Sequence, residues 1–160
     1  MRSSLAAASL IAATACQVAV AHNEPLEPAP VVSPTVAYIT ASGAAAALPF
    51  SSVVRVGDML YLSGQLGVDP ATGKLVPGGI GEETRRAMEN IKTLVEANGS
   101  SMERVVKCTV MLADIKEWGA MNAVYVTFFP SHKPARSAFG TSGLVLGGRA
   151  EIECLAVAAG

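Results

Sequence analysis

Apolar residues recur with two different periods along the chain after residue 50, one typical of strands and the other typical of helices. Short β-rich runs at 53–56 and 59–63 flank Gly57 and Asp58, a dipeptide favoured in two-residue hairpin turns. Over residues 79–98 the apolar positions recur every three or four residues, and i,i+4 charge pairs occupy the opposite side. The pattern therefore predicts a hairpin followed by an amphipathic helix.

The next part of the chain predicts another strand and another helix. Residues 104–112 alternate between apolar and polar side chains, as a half-buried strand does. Asp114 and Glu117 form a helix-start pattern, and Pro134 follows the end of this second helix. The helix is expected to bury one stripe, which consists of Ile115, Trp118, Met121, Val124, Tyr125 and Phe128.

Two more strands, at about 135–140 and 149–158, close the chain. The resulting order is two strands, a helix, a strand, a helix and two strands, and both helices are amphipathic. This order predicts an α+β fold in which two helices cover one face of a sheet. The other face must then be solvated or packed on another subunit.

The N-terminal region has the features of an export signal. Arg2 begins it, an uncharged Ala-rich segment follows at 5–15, and the Ala-Val-Ala sequence at 19–21 fits a cleavage site. The segment is shorter than the roughly 20 apolar residues of a spanning helix. We therefore expect residues 1–21 to be a cleaved signal peptide and the domain to be periplasmic or secreted, with no membrane attachment afterwards. A lipoprotein acylated at Cys16 is the minor alternative.

Composition bounds the rest of the chain. Residues 22–35 contain four prolines and no periodic apolar pattern, so we predict an extended tether there and one folded domain over 36–160. The chain is 51% hydrophobic and 16% charged with a formal net charge of −1, which suits a single domain with a sizeable core. The sequence contains no basic run, so nucleic-acid binding has no electrostatic support.

The spacing of the cysteine and histidine residues does not support metal chemistry. Cys108 and Cys154 form no C-x-x-C pattern and have no histidine near them in sequence, so we predict no metal site. His132 lies between two prolines and fits a loop residue better than a catalytic base.

Three polar residues stand out as candidates for function. Arg136 lies among small residues in a predicted strand, Glu151 lies in an otherwise apolar strand, and Asn122 lies in the second helix. Taken alone, the residues favour a salt bridge between the arginine and the glutamate on neighbouring strands. In the functional interpretation, Arg136 binds a substrate carboxylate through its forked donors and the glutamate positions a water molecule.

Four segments together resemble the signature of the RidA/YjgF family of reactive-intermediate deaminases. In order they are YLSGQLGVDP at 61–70, NAVYVTFF at 122–129, PARS at 134–137 and EIE at 151–153. The resemblance covers roughly residues 36–160. It implies a chorismate-mutase-like α+β fold with a mixed sheet, assembled as a homotrimer with ligand clefts between subunits.

The resemblance also implies an activity and a set of site residues. Members of the family hydrolyse reactive 2-imino acids, and the corresponding enamines, to 2-oxo acids and ammonia without a metal or cofactor. By this resemblance Arg136 binds the carboxylate and Glu151 positions water. Gly64 contacts the ligand through its backbone, and Asn122 lines the pocket. The expected partners are a small 2-imino or 2-oxo acid and further copies of this chain.

Two further pocket positions depart from the family pattern. Phe50 stands where many members have a tyrosine, and Ala138 replaces a cysteine that is frequent two residues after the arginine. These substrate-binding positions bear on substrate range and rate more than on fold. They keep open a non-catalytic module that binds small carboxylates. An RNA-cleaving or chaperone-like role, ascribed to some relatives, is less favoured because the composition leans acidic.

The resemblance finally bears on the two cysteines of the domain. The family fold inserts the last strand beside the strand that carries Cys108, so Cys108 and Cys154 should be buried on the same side of the sheet. A disulfide would need a Cα–Cα separation of roughly 4.4–6.8 Å, which the strand register decides. We expect two free thiols that behave as small apolar residues.

Overall fold

The computed structural model describes residues 33–40 and 48–159, and the predicted signal peptide and nearly all of the tether lie outside these ranges. The described residues form two α-helices, α1 (Ile80–Ala97) and α2 (Trp118–Tyr125). The strands are β1 (Val36–Ile39), β2 (Val53–Val56), β3 (Met59–Leu62), β4 (Gln65–Leu66), β5 (Val68–Asp69), β6 (Lys74–Leu75), β7 (Val105–Leu112), β8 (Ala135–Gly140) and β9 (Ala150–Val157).

The main sheet has the strand order β1-β2-β3-β9-β7-β8, and β4 also pairs with β9. Every pair in it is antiparallel except β7 and β8, which are parallel because α2 connects them as a crossover. This one parallel pair makes the sheet mixed, as predicted, and the last strand, β9, is inserted between β3 and β7. The strand β1 was not predicted, and it extends the sheet by pairing with β2.

Both helices lie on one face of the sheet, and the core lies between them and the strands. The apolar stripe of α1 is buried as its period predicts, and Leu60, Val110 and Ile152 face it from three strands with no exposed surface. Full burial of such an aliphatic side chain contributes about 1.5–3 kcal/mol relative to exposure. The predicted α+β arrangement of two helices over one face of a sheet is thus confirmed.

The second helix is shorter than its apolar pattern predicts. Residues 115–117 form a 3₁₀ turn, and α2 proper starts at Trp118 and ends at Tyr125, where a further 3₁₀ turn begins. Met121 and Tyr125 are buried as expected. Ile115 and Trp118 are instead 49% and 41% exposed, so their predicted burial is wrong. The 3₁₀ turn, which has three residues per turn rather than 3.6, takes Ile115 out of phase with α2. Trp118 is the first residue of α2 and its ring lies beside Arg136 of the edge strand β8, so no further strand covers it.

The two cysteines of the domain form a disulfide. Cys108 of β7 lies directly opposite Cys154 of β9, both side chains are buried, and their Cα atoms are 4.1 Å apart. The predicted burial of both residues on one side of adjacent strands is confirmed. The prediction of two free thiols is wrong, because the register pairs the residues directly and directly opposed side chains point to the same face.

Candidate functional site

Arg136 is held by the helix that precedes its strand. It is the second residue of β8, an edge strand, and its side chain is half-buried against α2. One guanidinium nitrogen, Nη1, donates a hydrogen bond to Oδ1 of Asn122 at 2.8 Å. Because a guanidinium carries five N–H donors in a planar fork, this bond leaves other donors available for a planar anion such as a carboxylate.

Two aromatic rings of α2 also contact this guanidinium. Its central carbon lies 4.7 Å from the ring centroid of Tyr125 and 5.4 Å from that of Trp118, both within the range of cation–π attraction. Burial raises the pKa of Tyr125 to about 12, and the charge of Arg136 opposes that rise. The phenol is therefore neutral at physiological pH. An amide and two aromatic rings thus fix the orientation of the fork.

Ala138 follows Arg136 on the same side of β8. Side chains two residues apart in a strand point to the same face, and Ala138 packs against the core there. Together with Arg136, Asn122, Trp118 and Tyr125 it forms what we call the helix-face group. The sequence predicted three of its five members, and it missed the roles of Trp118 and Tyr125. Their spacing of seven residues, two helical turns, was interpreted only as a core stripe.

A second group forms where Gly64 meets Glu151. Gly64 lies between β3 and β4, and β4 places Leu66 opposite Glu151 in β9. A Cβ atom on Gly64 would lie 2.9 Å from the carboxyl carbon of Glu151 and closer still to Oε1. Only glycine therefore leaves space for this carboxylate. We call this pair of residues the open-face group.

The turn that carries Gly64 is fixed by its neighbour in the sequence. The backbone N–H of Ser63 donates to the carbonyl of Ser52 at 3.0 Å, and its hydroxyl donates to the carbonyl of Ser51 at 2.7 Å. Phe50 comes directly before this serine pair and is 51% exposed. Phe50 is thus the neighbour in sequence of the residues that hold the Gly64 turn. Its ring is directed toward solvent rather than the core.

The carboxyl of Glu151 is in an environment that disfavours its charge. Burial raises its pKa above the usual 4.5, and the neighbouring carboxylate of Glu153 raises it further. Both glutamates alternate with buried Ile152, which confirms that they point to the same side of β9. A carboxyl with a raised pKa accepts protons more readily than an ordinary glutamate, which suits a general base.

Side chains from α1 and from the 3₁₀ turn that precedes α2 anchor the chain just before Glu151. The backbone N–H of Arg149 donates to Oε2 of buried Glu83 in α1 at 2.7 Å. The guanidinium of Arg149 forms a two-point ion pair with Glu117, with Nε 3.0 and 3.1 Å from the carboxylate oxygens. Hydrogen bonding to this carboxylate raises the pKa of Arg149. The sequence pattern does not indicate this network, since its three residues lie far apart along the chain.

The two groups lie on opposite faces of the sheet. Arg136 pairs with Cys108 across the strands, and buried Cys108 points toward the helices. Glu151 pairs with Met111, three positions further along β7, and alternation directs both of these side chains to the uncovered face. A single protomer therefore does not bring the arginine and the glutamate together.

This arrangement excludes the salt bridge between Arg136 and Glu151. Strand β7 separates β8 from β9, so the two residues are not on neighbouring strands, and they face in opposite directions. In the part of the chain that the structure describes, Arg136 is bonded to an amide and stacked on aromatic rings rather than paired with a carboxylate. The interpretation that the residues alone favoured is wrong because β9 is inserted elsewhere in the sheet.

Two further features concern residues 33–40 and 48–159. No helix in these ranges is long and apolar enough to cross a membrane. The same ranges contain no cluster of three or more histidine, cysteine, aspartate or glutamate side chains that could hold a metal ion.

Comparisons with known proteins agree on one family. The family described as Endoribonuclease L-PSP matches residues 40–158. The chain is 49% identical over 118 residues to the 2-iminobutanoate/2-iminopropanoate deaminase of Capra hircus, an alignment that covers 74% of this chain and 86% of the relative. The human protein of the same name is 42% identical over 118 residues, with the same coverage.

Solved structures give the same picture. The yeast protein YEO7 is 40% identical with a TM-score of 0.73, over 78% of this chain and all of that one. RidA from the Antarctic bacterium Psychrobacter sp. PAMC 21119 is 36% identical with a TM-score of 0.67, over 75% of this chain and 94% of its own. These likenesses confirm the predicted chorismate-mutase-like fold.

The same relatives contradict the predicted export. They are cytosolic or mitochondrial proteins of mammals, yeast and archaea. The prediction of a periplasmic or secreted protein is therefore wrong, and so is its lipoprotein variant. Both rested on residues 1–21, whose short apolar segment was interpreted as a targeting signal and which lie outside the described residues.

Proposed function

This chain belongs to the RidA/YjgF family, the family described as Endoribonuclease L-PSP, and on that premise we propose that it hydrolyses reactive 2-imino acids to 2-oxo acids and ammonia. The observation that carries the proposal is the fixed fork of Arg136, a carboxylate receptor in a chain that is 42–49% identical to mammalian 2-iminobutanoate/2-iminopropanoate deaminases.

In the proposed reaction Arg136 binds the substrate carboxylate. The hydrogen bond that Arg136 donates to Asn122 and the rings of Trp118 and Tyr125 hold the guanidinium before substrate arrives. A fork that is already oriented loses little entropy on binding, and two parallel N–H···O bonds fix the position of the imine carbon. The backbone of Ala138 and the backbone of Gly64 are proposed to contact the same ligand.

Glu151 is proposed to position and deprotonate the attacking water. The iminium carbon is already electrophilic, so water adds to it as Glu151 accepts one proton, which gives a carbinolamine. Return of that proton to the nitrogen lets ammonia depart, and Glu151 accepts the remaining hydroxyl proton as the carbonyl forms. The raised pKa of Glu151 favours this exchange, and the gap left by Gly64 gives its carboxylate room. No covalent intermediate and no cofactor enter this scheme.

The scheme requires more than one protomer, and we propose a homotrimer. Because Arg136 and Glu151 lie on opposite faces of the sheet, the arginine of one subunit would meet the glutamate of the next. Apolar side chains on the uncovered face, Tyr61 and Phe139, are 45% and 47% exposed in the protomer and would be covered by this contact. Light scattering at micromolar concentration tests the trimer, and a monomeric mass would contradict it.

Mixing two inactive variants tests whether the site is shared. Arg136→Ala and Glu151→Gln are each expected to be inactive alone. Trimers reassembled from equal amounts should regain about a quarter of wild-type activity, because each mixed cyclic trimer contains one intact site. No recovery after verified subunit exchange would place both residues in the same subunit's site and refute the shared site.

The decisive assay generates the imine in the cuvette. An amino acid oxidase acting on alanine releases 2-iminopropanoate, and the deaminase should accelerate ammonia release beyond the uncatalysed rate. The second candidate, a non-catalytic module that binds small carboxylates, is favoured by the altered positions Phe50 and Ala138. It predicts carboxylate binding without this acceleration. An RNase assay at moderate salt tests the RNA-cleaving activity that the description of the matched family implies. The near-balance of 12 basic and 13 acidic residues opposes RNA binding.

A further inference from the structure

Two polar side chains of α1, those of Glu83 and Asn90, contact strands of the sheets. They are seven residues apart, about two helical turns, so they lie on the same side of the helix. Glu83 is buried and accepts the backbone N–H of Arg149, and Asn90 is partly buried. A polar side chain at such a position must have hydrogen-bond partners, because burial without them costs free energy.

The partners of Asn90 are two backbone carbonyls of one short segment. Its Nδ2 donates to the carbonyl of Val68 at 2.9 Å and to that of Leu66 at 3.3 Å. The carbonyl between them, that of Gly67, accepts the backbone N–H of Val76 at 2.9 Å. One side chain of α1 therefore fixes two of three consecutive carbonyls.

The pairing of this segment with other strands is short. Strand β4 pairs with β9 over two residues, and β5 pairs with β6 in a separate two-stranded sheet. The backbone of α1 lies directly against the segment, because a Cβ on Gly67 would be 2.5 Å from the Cα of Glu83. The position of the segment is therefore set by α1 as well as by the sheet, and Asn90 supplies hydrogen bonds to that contact.

The segment lies beside Glu151. Leu66 is opposite Glu151 in the pairing of β4 with β9, and Gly64, two residues before it, leaves the space beside the carboxylate. A shift of β4 would change both this space and the burial of the carboxyl group. Asn90 can therefore act on Glu151 through the backbone of β4, without a direct bond to it.

We propose that Asn90 is a positioning residue of the reaction, which holds Gly64 and the carboxylate of Glu151 in their relative places through its bonds to Leu66 and Val68. The proposal rests on the proposed function for the role of Glu151 in turnover. The effect of Asn90 on the Gly64 turn does not depend on the reaction, so it can be measured separately.

The variant Asn90→Ala separates turnover from binding. We expect kcat for 2-iminopropanoate to fall about ten-fold or more, because the carboxylate of Glu151 loses its fixed place. The affinity for pyruvate, measured by calorimetry, should change less than about three-fold, because α2 rather than α1 holds the fork of Arg136. Alanine is a strong helix former, so the variant keeps α1.

A matched control removes the same kind of bond from the end of the same helix. Asn98 donates from Nδ2 to the carbonyl of Leu94 at 2.8 Å, and it lies about 12 Å further along the helix than Asn90. Asn98→Ala should lower the melting temperature about as much as Asn90→Ala and leave kcat within about two-fold of wild type. An equal loss of kcat in the two variants would overturn the proposal.

Two substitutions at the same position test the hydrogen bonds themselves. Asn90→Asp keeps the size of the side chain and replaces the donating amide by a carboxylate, so its kcat should fall at least as far as that of Asn90→Ala. Asn90→Gln keeps the amide donors and should retain more activity than either. Wild-type kcat in Asn90→Asp would overturn the proposal, because the bonds would then not hold the segment.

The titration of Glu151 gives a readout that needs no activity. Carbon-13 NMR of labelled glutamate follows its carboxyl group in the full chain. In Asn90→Ala the burial of this group should decrease, so its raised pKa should move down toward 4.5, while Glu153 remains as its charged neighbour. The pKa should stay unchanged in Asn98→Ala, and an unchanged pKa in Asn90→Ala would overturn the proposal.

The two readouts separate this proposal from the deaminase activity. A lowered pKa of Glu151 in Asn90→Ala, with no acceleration of imine hydrolysis by the wild-type protein, would refute the deaminase activity and support the hold of Asn90 on Glu151. Acceleration by wild type that Asn90→Ala retains in full would support the deaminase activity and overturn the positioning role.

Discussion

The helix-face group and the open-face group are built in different ways, although each contains one of the two proposed catalytic residues. Arg136 is fixed by contacts between side chains, from an amide and two rings of one helix. Glu151 is fixed by backbone: by its pairing in the sheet, by the missing side chain of Gly64 and by the anchored residue two positions before it.

The two groups also differ in their electrostatics. The charge of Arg136 is stabilised by the faces of the rings around it, whereas the charge of Glu151 is destabilised by burial and by Glu153. The helix-face group keeps the permanent charge of Arg136 in one orientation. The open-face group raises the pKa of Glu151, so that this carboxyl exchanges a proton more easily. In the proposed function, binding and proton transfer are therefore assigned to opposite faces of one sheet, so that each environment can be tuned without the other.

The largest effect is expected from removing the anchor of the helix-face group. Arg136→Ala should lower kcat/KM about a thousand-fold, because two charge-assisted hydrogen bonds to the carboxylate are lost. The melting temperature should stay within a few degrees, since the side chain is only half-buried. Arg85→Ala removes an exposed arginine of α1 and is the control, with activity expected to change less than about two-fold. Activity of Arg136→Ala within a few-fold of wild type would remove this residue from the site.

The disulfide sharpens the comparison, because it cross-links β9 to β7 at Cys108, the residue that pairs with Arg136. Its closed loop spans a sequence separation of 46 residues, so its loss should lower the free energy of unfolding by about 4 kcal/mol. Thiol titration of the unfolded chain should find one reactive group, Cys16, without reductant and three with it. Three reactive groups in unreduced protein would contradict the bond between Cys108 and Cys154.

A methyl group at Gly64 should disturb only the open-face group. Gly64→Ala forces the carboxylate of Glu151 aside, and we expect kcat to fall about ten- to a hundred-fold while affinity for a 2-oxo acid changes little. Gly119→Ala is the matched control, since nothing lies within 4 Å of its added methyl group. An equal loss of affinity and of kcat in Gly64→Ala would show that the two groups are not separable.

The smallest effect concerns stability and pH. The raised pKa of Glu151 means that its charged form opposes folding, so its contribution favours the folded state below pH 4.5 and weakens as pH rises through the raised value. Glu151→Gln lacks this term and should be slightly more stable than wild type at pH 8, by well under 1 kcal/mol because the group is partly solvated. The difference should vanish near pH 4. Denaturant unfolding at both pH values measures it, and a less stable variant at pH 8 would contradict the assigned shift.

The hydrophobic pattern predicted the layers of the fold but not how its strands are inserted, and only the family resemblance placed the last strand beside β7. Hydrophobic periods located both helices and the longer strands, because each buries one face along its whole length. They could not place β9 between β3 and β7, since strand order depends on contacts between distant segments. The salt bridge between Arg136 and Glu151 was excluded by this insertion alone.

The candidate site was predicted residue by residue and not as an arrangement. Arg136 and Glu151 stand out because burying a charge in an apolar strand costs free energy unless the charge is paired. A charge at such a position therefore indicates an ion pair or a functional role. The exposure of Trp118 was not predictable from its period, because it results from the position of this residue beside the edge strand β8, and periodicity does not give strand order. The disulfide depended on register, which a slip of a single residue along a strand would abolish.

The network at Arg149 bears on how fast the protein unfolds. In it Arg149 bonds to Glu83, 66 residues before it in the chain, and to Glu117, 32 residues before it. The network can therefore form only after two long loops have closed. We expect contacts with such a large sequence separation to form late, after the transition state for folding. We expect Arg149→Met to unfold several-fold faster than wild type while refolding at an almost unchanged rate, which stopped-flow measurements would resolve. The ion pair at the start of β9 would then govern the lifetime of the folded state rather than the route by which it is reached.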